Sequence, residues 1–299
     1  MIEGRPSWTQ LRIRAPREHH DVLLREGIGP FLSERAGRRR GHFIPDPEGA
    51  SIDVYVEGDG EGTVYFGMAG RGGGPGIYVF LDDHAPAERL PGGWTTVHEM
   101  LHHGMPFIDE PWMSEGWVTY YTELLRTRAG FRSEEAGWRA MVEGFGRGRR
   151  TRGMTLEEAS ARMRELHVYQ RVYWGGAAVA LLVDVQMRLE TDGARSLDDA
   201  MRELRRCCGD ADHQWAAREL LEELDAWYGR PLFTQTADAV LAQPELPDVE
   251  AVLAKVGVRV EGDRVRLDDD PAKARHRRAM MAPRPGGSDG SDDDAARSR

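Results

Sequence analysis

The chain has 299 residues, enough for one large domain or two small ones, and 40% of them are hydrophobic, enough for a substantial core. Its net charge of -10 argues against a nucleic-acid-binding role. Arg38-Arg39-Arg40 is a basic run without interleaved aromatics and reads as a solvated loop.

The N-terminus, MIEGRPSW, has no apolar core of the signal-peptide kind, which gives the expectation of a cytoplasmic protein. Trp8–Ile13 is expected as a strand, and Val22 to Arg35 as a short or broken helix interrupted by Gly27 and Gly29-Pro30. Ser51–Glu57 (SIDVYVE) alternates with period two and predicts a strand. After a turn at Gly58-Asp59-Gly60 come strands at Thr63–Met68 and Ile77–Leu81, separated by a glycine-rich bend, RGGGPG. The bend lacks the Lys-Ser/Thr of a phosphate loop and no helix opens after it, so it reads as a hairpin bend or the rim of a cleft.

From Trp94 the pattern is helical. Helices are predicted at Trp94–His103, at Ser114–Thr127 with Ser114 as N-cap, at Glu134–Phe145, and at Thr155–His167. The last of these opens with the capping box Thr155-x-x-Glu158. Val172–Glu190 is the most apolar helix. Its apolar run, Ala177 to Val183, is too short to span a bilayer, so no membrane partner is expected. Ser196–Arg206 and Ala211–Tyr228 are amphipathic, Asp248–Val256 is a short helix, and Val258–Leu267 is a hairpin. Cys207 and Cys208, adjacent and without C-x-x-C spacing, are expected as reduced, partly buried helix residues. From Asp268 large apolar residues are scarce, and residues 268–299 are expected to be a disordered tail.

The chemistry concentrates in WTTVHEMLHHGMPFIDEPWMSEGWVTYY, residues 94–121. His98-Glu99-x-x-His102 places two imidazoles one turn apart on one helix face, able to meet one ion. Glu99 lies about 100° around the helix from His98, beside that ion without being a ligand. A catalytic zinc site needs a third protein ligand and an open position. Glu115 in W-M-S-E-G is the candidate, with Asp109 and Glu110 as rivals. His103 points off this face, and His19, His20, His84, His167, His213 and His276 have no partner at ligand spacing. Trp112 and Trp117 flank Glu115 and read as packing that fixes it.

Taken with YWGGAAVALLVDVQMR from Tyr173 and SLDDAMREL from Ser196, these segments resemble the glycyl aminopeptidase family of gluzincin metallopeptidases, over Asp21 to Val258. The resemblance implies an α+β, thermolysin-like fold. A small N-terminal β-sheet subdomain would occupy residues 1–90, and a helical catalytic lobe with the zinc site and a short hairpin residues 91–267. It implies one zinc per chain on His98, His102 and Glu115, with Glu99 as general base. Tyr173 matches the tyrosine of the family's Y-x-K-G and would stabilise an oxyanion; peptide or protein would be the substrate. The family's PDZ domain is expected to be missing. Only the 12 residues 103–114 separate His102 from Glu115, fewer than is usual in the family. Gly175 stands at the lysine of Y-x-K-G. Ala69 stands where the family's amine-gripping glutamate would be, with Arg71 close by. These departures leave open an aminopeptidase, an endopeptidase, an enzyme reading a substrate carboxylate, and a zinc-retaining peptide-binding protein that does not cleave. A metal-free helical interaction domain is the remaining alternative.

Overall fold

A computed structural model describes residues 10–14, 51–57, 64–70, 76–82, 93–209, 213–262 and 264–282. The expected helix at Val22–Arg35 and the turn at Gly58-Asp59-Gly60 lie outside them. The architecture is α+β, mostly helical with a few small strands.

Four strands, β1 (Gln10–Arg14), β2 (Ser51–Glu57), β3 (Val64–Gly70) and β4 (Gly76–Asp82), form a sheet in the order β1-β2-β4-β3. β1, β2 and β4 run parallel, and β3 pairs antiparallel with β4 at the sheet edge. The sheet predicted ahead of the H-E-x-x-H helix is therefore present. β3 meets the first described helix, α1 (Trp94–His102), at Gly67. A Cβ there would lie 2.5 Å from Thr95 Cγ2 and 2.8 Å from Glu99 Cγ, so only glycine allows this approach of strand to helix.

α2 (Pro111–Arg128) is longer than the predicted Ser114–Thr127 and begins three residues earlier. Pro111 takes the first helical position, where its missing N–H costs nothing, and Glu110 is the N-cap. Ser114 is thus not the cap; its hydroxyl donates to the Glu110 carbonyl, one turn back. After the two-residue β5 (Phe107–Ile108) and α2 come α3 (Glu134–Gly148), α4 (Leu156–Ala161) and α5 (Met163–Leu166). The predicted Thr155–His167 helix is therefore two pieces, its Thr155–Glu158 capping box present. His167, in the left-handed region at φ 54°, ends α5, and Val168 N–H bonds back to Met163 O.

The chain then enters α6 (Tyr169–Glu190), the central helix, with Trp174, Ala177, Ala178, Leu181 and Val185 all buried. α2 packs along α6 where Gly116 meets Gly176. α7 (Leu197–Cys208), β6 (Gln214–Trp215), α8 (Ala217–Tyr228), α9 (Leu232–Leu241) and α10 (Val249–Lys255) follow. The predicted Ala211–Tyr228 helix starts only at Ala217, because Gln214 and Trp215 pair with β5. α9 was not anticipated. The Val258–Leu267 hairpin forms as β7 (Val258–Glu261) and β8 (Arg264–Leu267).

Two expectations are corrected. Order does not stop at Leu267: Pro271–Met281 forms α11, with Met280 and Met281 buried in the core. Arg277, also buried, donates to Glu134 and to the Gly257 carbonyl, which ties α11 to α3 and the hairpin. Cys207 and Cys208 are not reduced but are joined to each other at the end of α7. Among the described residues no helix is long and apolar enough to cross a membrane.

Beneath α2 lies a buried polar network. Asp184 accepts from Tyr120 Oη (2.7 Å), Arg188 Nε (2.9 Å) and Leu197 N (2.9 Å). Asp198 accepts from Arg128 Nη1 at 3.0 Å, and Arg128 Nε donates to the Met280 carbonyl at 2.7 Å. The network ties α2, α6, α7 and α11 together, and Asp184 and Asp198 each have a cationic partner.

Candidate metal centre

His98 and His102 project from one face of α1, their ring centroids 4.9 Å apart. Glu115, one turn into α2, reaches both: its Oε2 lies 3.0 Å from His98 Nε2 and 3.4 Å from His102 Nε2. One donor atom from each residue lies within 4.8 Å of the other two, a grouping able to hold one metal ion. The close crossing of α2 and α6 sets this position. A Cβ on Gly176 would sit 1.7 Å from the Trp112 carbonyl, so glycine lets α6 approach the first turns of α2.

Asp109 and Glu110, the rival ligands, are engaged elsewhere. Asp109 accepts from Gln214 Nε2 at 2.7 Å, and Glu110 accepts from the Ala217 amide at 2.7 Å, opening α8. Trp112 and Trp117 are buried and pack rather than line a cleft at the donor group. A cavity of about 840 Å³ next to Trp112, reaching Ser160, Arg218 and Leu241, contains none of the three donor residues.

Protonation suits a cation. Burial drives the His98 pKa down to about 4, against the pull of Glu115, so its imidazole is neutral at pH 7. Burial alone would raise Glu115, but the charge of His102 and hydrogen bonds from both imidazoles outweigh it and hold the carboxyl well below the usual range. A neutral imidazole and an ionised carboxylate are the forms that ligate metal. Thr122 faces the other ring nitrogen of His98. Its single hydroxyl proton goes to the Val118 carbonyl at 2.8 Å, so towards His98 Nδ1, 3.4 Å away, it can only accept. Were Nε2 to ligate a metal instead of donating to Glu115, an Nδ1–H could point at Thr122. Two imidazole nitrogens and one carboxylate oxygen, partly sheltered from water, match the ligand set of a catalytic zinc with one position open.

Glu99 sits beside this group rather than in it. Burial raises its pKa to about 7, with Glu115 adding to the effect and His102 and the Ala69 N–H opposing it. Tyr173, on α6, stacks on the His98 ring at 5.6 Å with planes 15° apart. Burial, with Glu115 as hydrogen-bond partner, raises its phenol far above the ordinary value, so it stays protonated. Gly175 faces away, against the Leu156 side chain. The reading from sequence missed Thr122, Trp94 and Glu123. Trp94 could have been found, since it lies one turn before His98 on the same helix face; its indole stacks on the His98 imidazole at 4.3 Å.

The sequence matches no protein-family model and no curated protein. Among solved structures it is similar to the crystal structure of an aminopeptidase N family protein from Idiomarina loihiensis, with a TM-score of 0.62 and 18% identity over 84% of this chain. The match covers 47% of that protein, so the chain spans about half its length. This is a likeness of fold: the chain is folded like part of that aminopeptidase N family protein, around a possible metal-binding triad.

Proposed function

We propose that the chain is a zinc metallopeptidase of the thermolysin-like gluzincin kind, hydrolysing peptide bonds in peptides or proteins. The observation that carries this reading is the convergence of His98, His102 and Glu115 with Glu99 alongside, in a peptidase-like fold. The ligands would be Nε2 of each histidine and Oε2 of Glu115. We read residues 1–90 as the β-rich subdomain and 91–267 as the catalytic lobe, extended by α11.

When bound, zinc polarises a carbonyl and lowers the pKa of a coordinated water to about 7. Glu99, beside the donor group without belonging to it, would take a proton from water and hand it to the leaving amine nitrogen. Tyr173, held protonated beside the donor group, donates to the carbonyl oxygen as negative charge develops there. The edge strand β3 borders Glu99 through Gly67 and Ala69 and offers a peptide backbone a strand to run along. A second reading is a zinc-retaining peptide-binding protein that does not cleave; it is favoured by Ala69, which puts no carboxylate on the strand beside Glu99 to hold a substrate amine.

Glu99→Gln tests the proposal and separates the two readings. The variant should keep its zinc and lose at least about 100-fold in turnover of a mixed peptide library, the scale of general-base catalysis. Parent and variant cleaving equally fast would overturn the mechanism; a parent that binds peptides without cleaving them would favour the second reading.

A further inference from the structure

Two aromatic rings stack on the imidazole of His98, Trp94 at 4.3 Å and 20° and Tyr173 at 5.6 Å and 15°. Trp94 is the closer of the two, and it is itself held. Its Nε1–H donates to Glu123 Oε1 at 2.9 Å. Glu123 is buried at 2% exposure, and its second oxygen pairs with the Arg132 guanidinium. Arg132 is fixed in turn: it donates to the Glu123 carbonyl at 2.8 Å and to Thr127 Oγ1 at 3.2 Å. The contacts run from Arg132 through Glu123 and Trp94 to His98.

We infer that Trp94 and Glu123 are positioning residues for His98: Glu123 fixes the indole, and the indole fixes the plane of the imidazole. The inference rests on His98 being a metal ligand, as proposed above. An imidazole nitrogen donates its lone pair in the ring plane, so rotation about the Cβ–Cγ bond swings the lone pair off an ion. The 3.4 Å contact to Thr122 is too long to prevent that rotation alone. A face-to-face indole does prevent it, provided the indole cannot tilt. The ion pair on Glu123 supplies that condition inside a buried region, where an unpartnered carboxylate would be costly.

The test uses the full chain, with zinc affinity measured by competition against a chromophoric chelator and the visible spectrum of the cobalt-substituted protein as a report on ligand geometry. Measurements are made below the melting onset of each variant. Trp94→Leu should weaken zinc binding about 10- to 100-fold, the range for losing an outer-shell partner, and alter the cobalt bands. Trp94→Phe, which keeps an aromatic face, should lie between parent and Trp94→Leu. Glu123→Leu should weaken binding, whereas Glu123→Gln, which still offers an oxygen to the indole, should restore most of the loss. Because Glu123 acts through Trp94, the double variant Trp94→Leu/Glu123→Leu should bind no more weakly than Trp94→Leu alone. Parent-like affinity and spectrum in Trp94→Leu, or losses that multiply in the double variant, would overturn the inference while leaving the metal site standing. A parent chain that takes up no zinc would instead overturn the metallopeptidase reading beneath it.

Discussion

Gly176→Ala probes the link between helix packing and the site. The added Cβ would stand 1.7 Å from the Trp112 carbonyl oxygen and 2.8 Å from Gly116 Cα. The clash is with backbone, so no side-chain rotation relieves it. Reaching even a tight 3.0 Å separation from the carbonyl requires roughly 1.3 Å of movement between α2 and α6, at a cost of about 1–3 kcal/mol or more for overpacking. Glu115 rides on α2 three residues from that carbonyl, and Tyr173 rides on α6 three residues from Gly176. The substitution therefore separates Glu115, the proposed ligand, from Tyr173, the proposed oxyanion donor. A misplacement of about 1 Å costs on the order of 100-fold in rate. Thermal unfolding and peptide hydrolysis of zinc-loaded Gly176→Ala should show both losses. Unchanged melting with full activity would refute this account of how the crossing builds the site.

Two further predictions concern the scaffold. The Asp198 carboxyl is held below its usual range, since burial acts against its charge but Arg128 outweighs burial. A carboxyl lowered in this way contributes stability that is present above its ordinary value of 3.8 and lost as pH falls through the folded-state value. Asp198→Asn should accordingly destabilise the protein by about 3–5 kcal/mol at pH 7, with the difference shrinking in acid; urea unfolding at pH 7 and pH 3 checks it, and equal stability at pH 7 would contradict it. Ending the chain at Leu267 removes the buried Met280 and Met281, each contributing about 1.5–3 kcal/mol, and the carbonyl that receives Arg128 Nε. The shortened chain should melt well below the parent, and coincident melting curves would show that α11 does not support the core.

What could be read from sequence was what is local. The alternation of SIDVYVE gave β2 its bounds, and the i, i+4 spacing of His98 and His102 holds because α1 is helical throughout. Glu115 stood out from Asp109 and Glu110 by its place in W-M-S-E-G, and the structure sets it beside both histidines. The misses have non-local causes. α9 opens on caps supplied by Asp225, which accepts from Phe233 N at 2.6 Å and Thr234 N at 3.2 Å from a different helix. The polar segment PAKARHRRAMM becomes ordered because Arg277 finds Glu134 and Met280 finds the core, neither visible in its composition. Ser114 has the chemistry of an N-cap, but Pro111 opens the helix three residues earlier, behind Glu110. Glu123 and Arg132 gave no signal because their relation to His98 passes through the indole of Trp94.

The central claim is that His98, His102 and Glu115 together hold one zinc ion. Its most direct test is a zinc titration of the metal-free chain beside His98→Ala, His102→Ala and Glu115→Gln. The account predicts one tightly bound equivalent in the parent and a large loss of affinity in each variant. No zinc uptake by the parent, or undiminished uptake when any of the three is replaced, would contradict it.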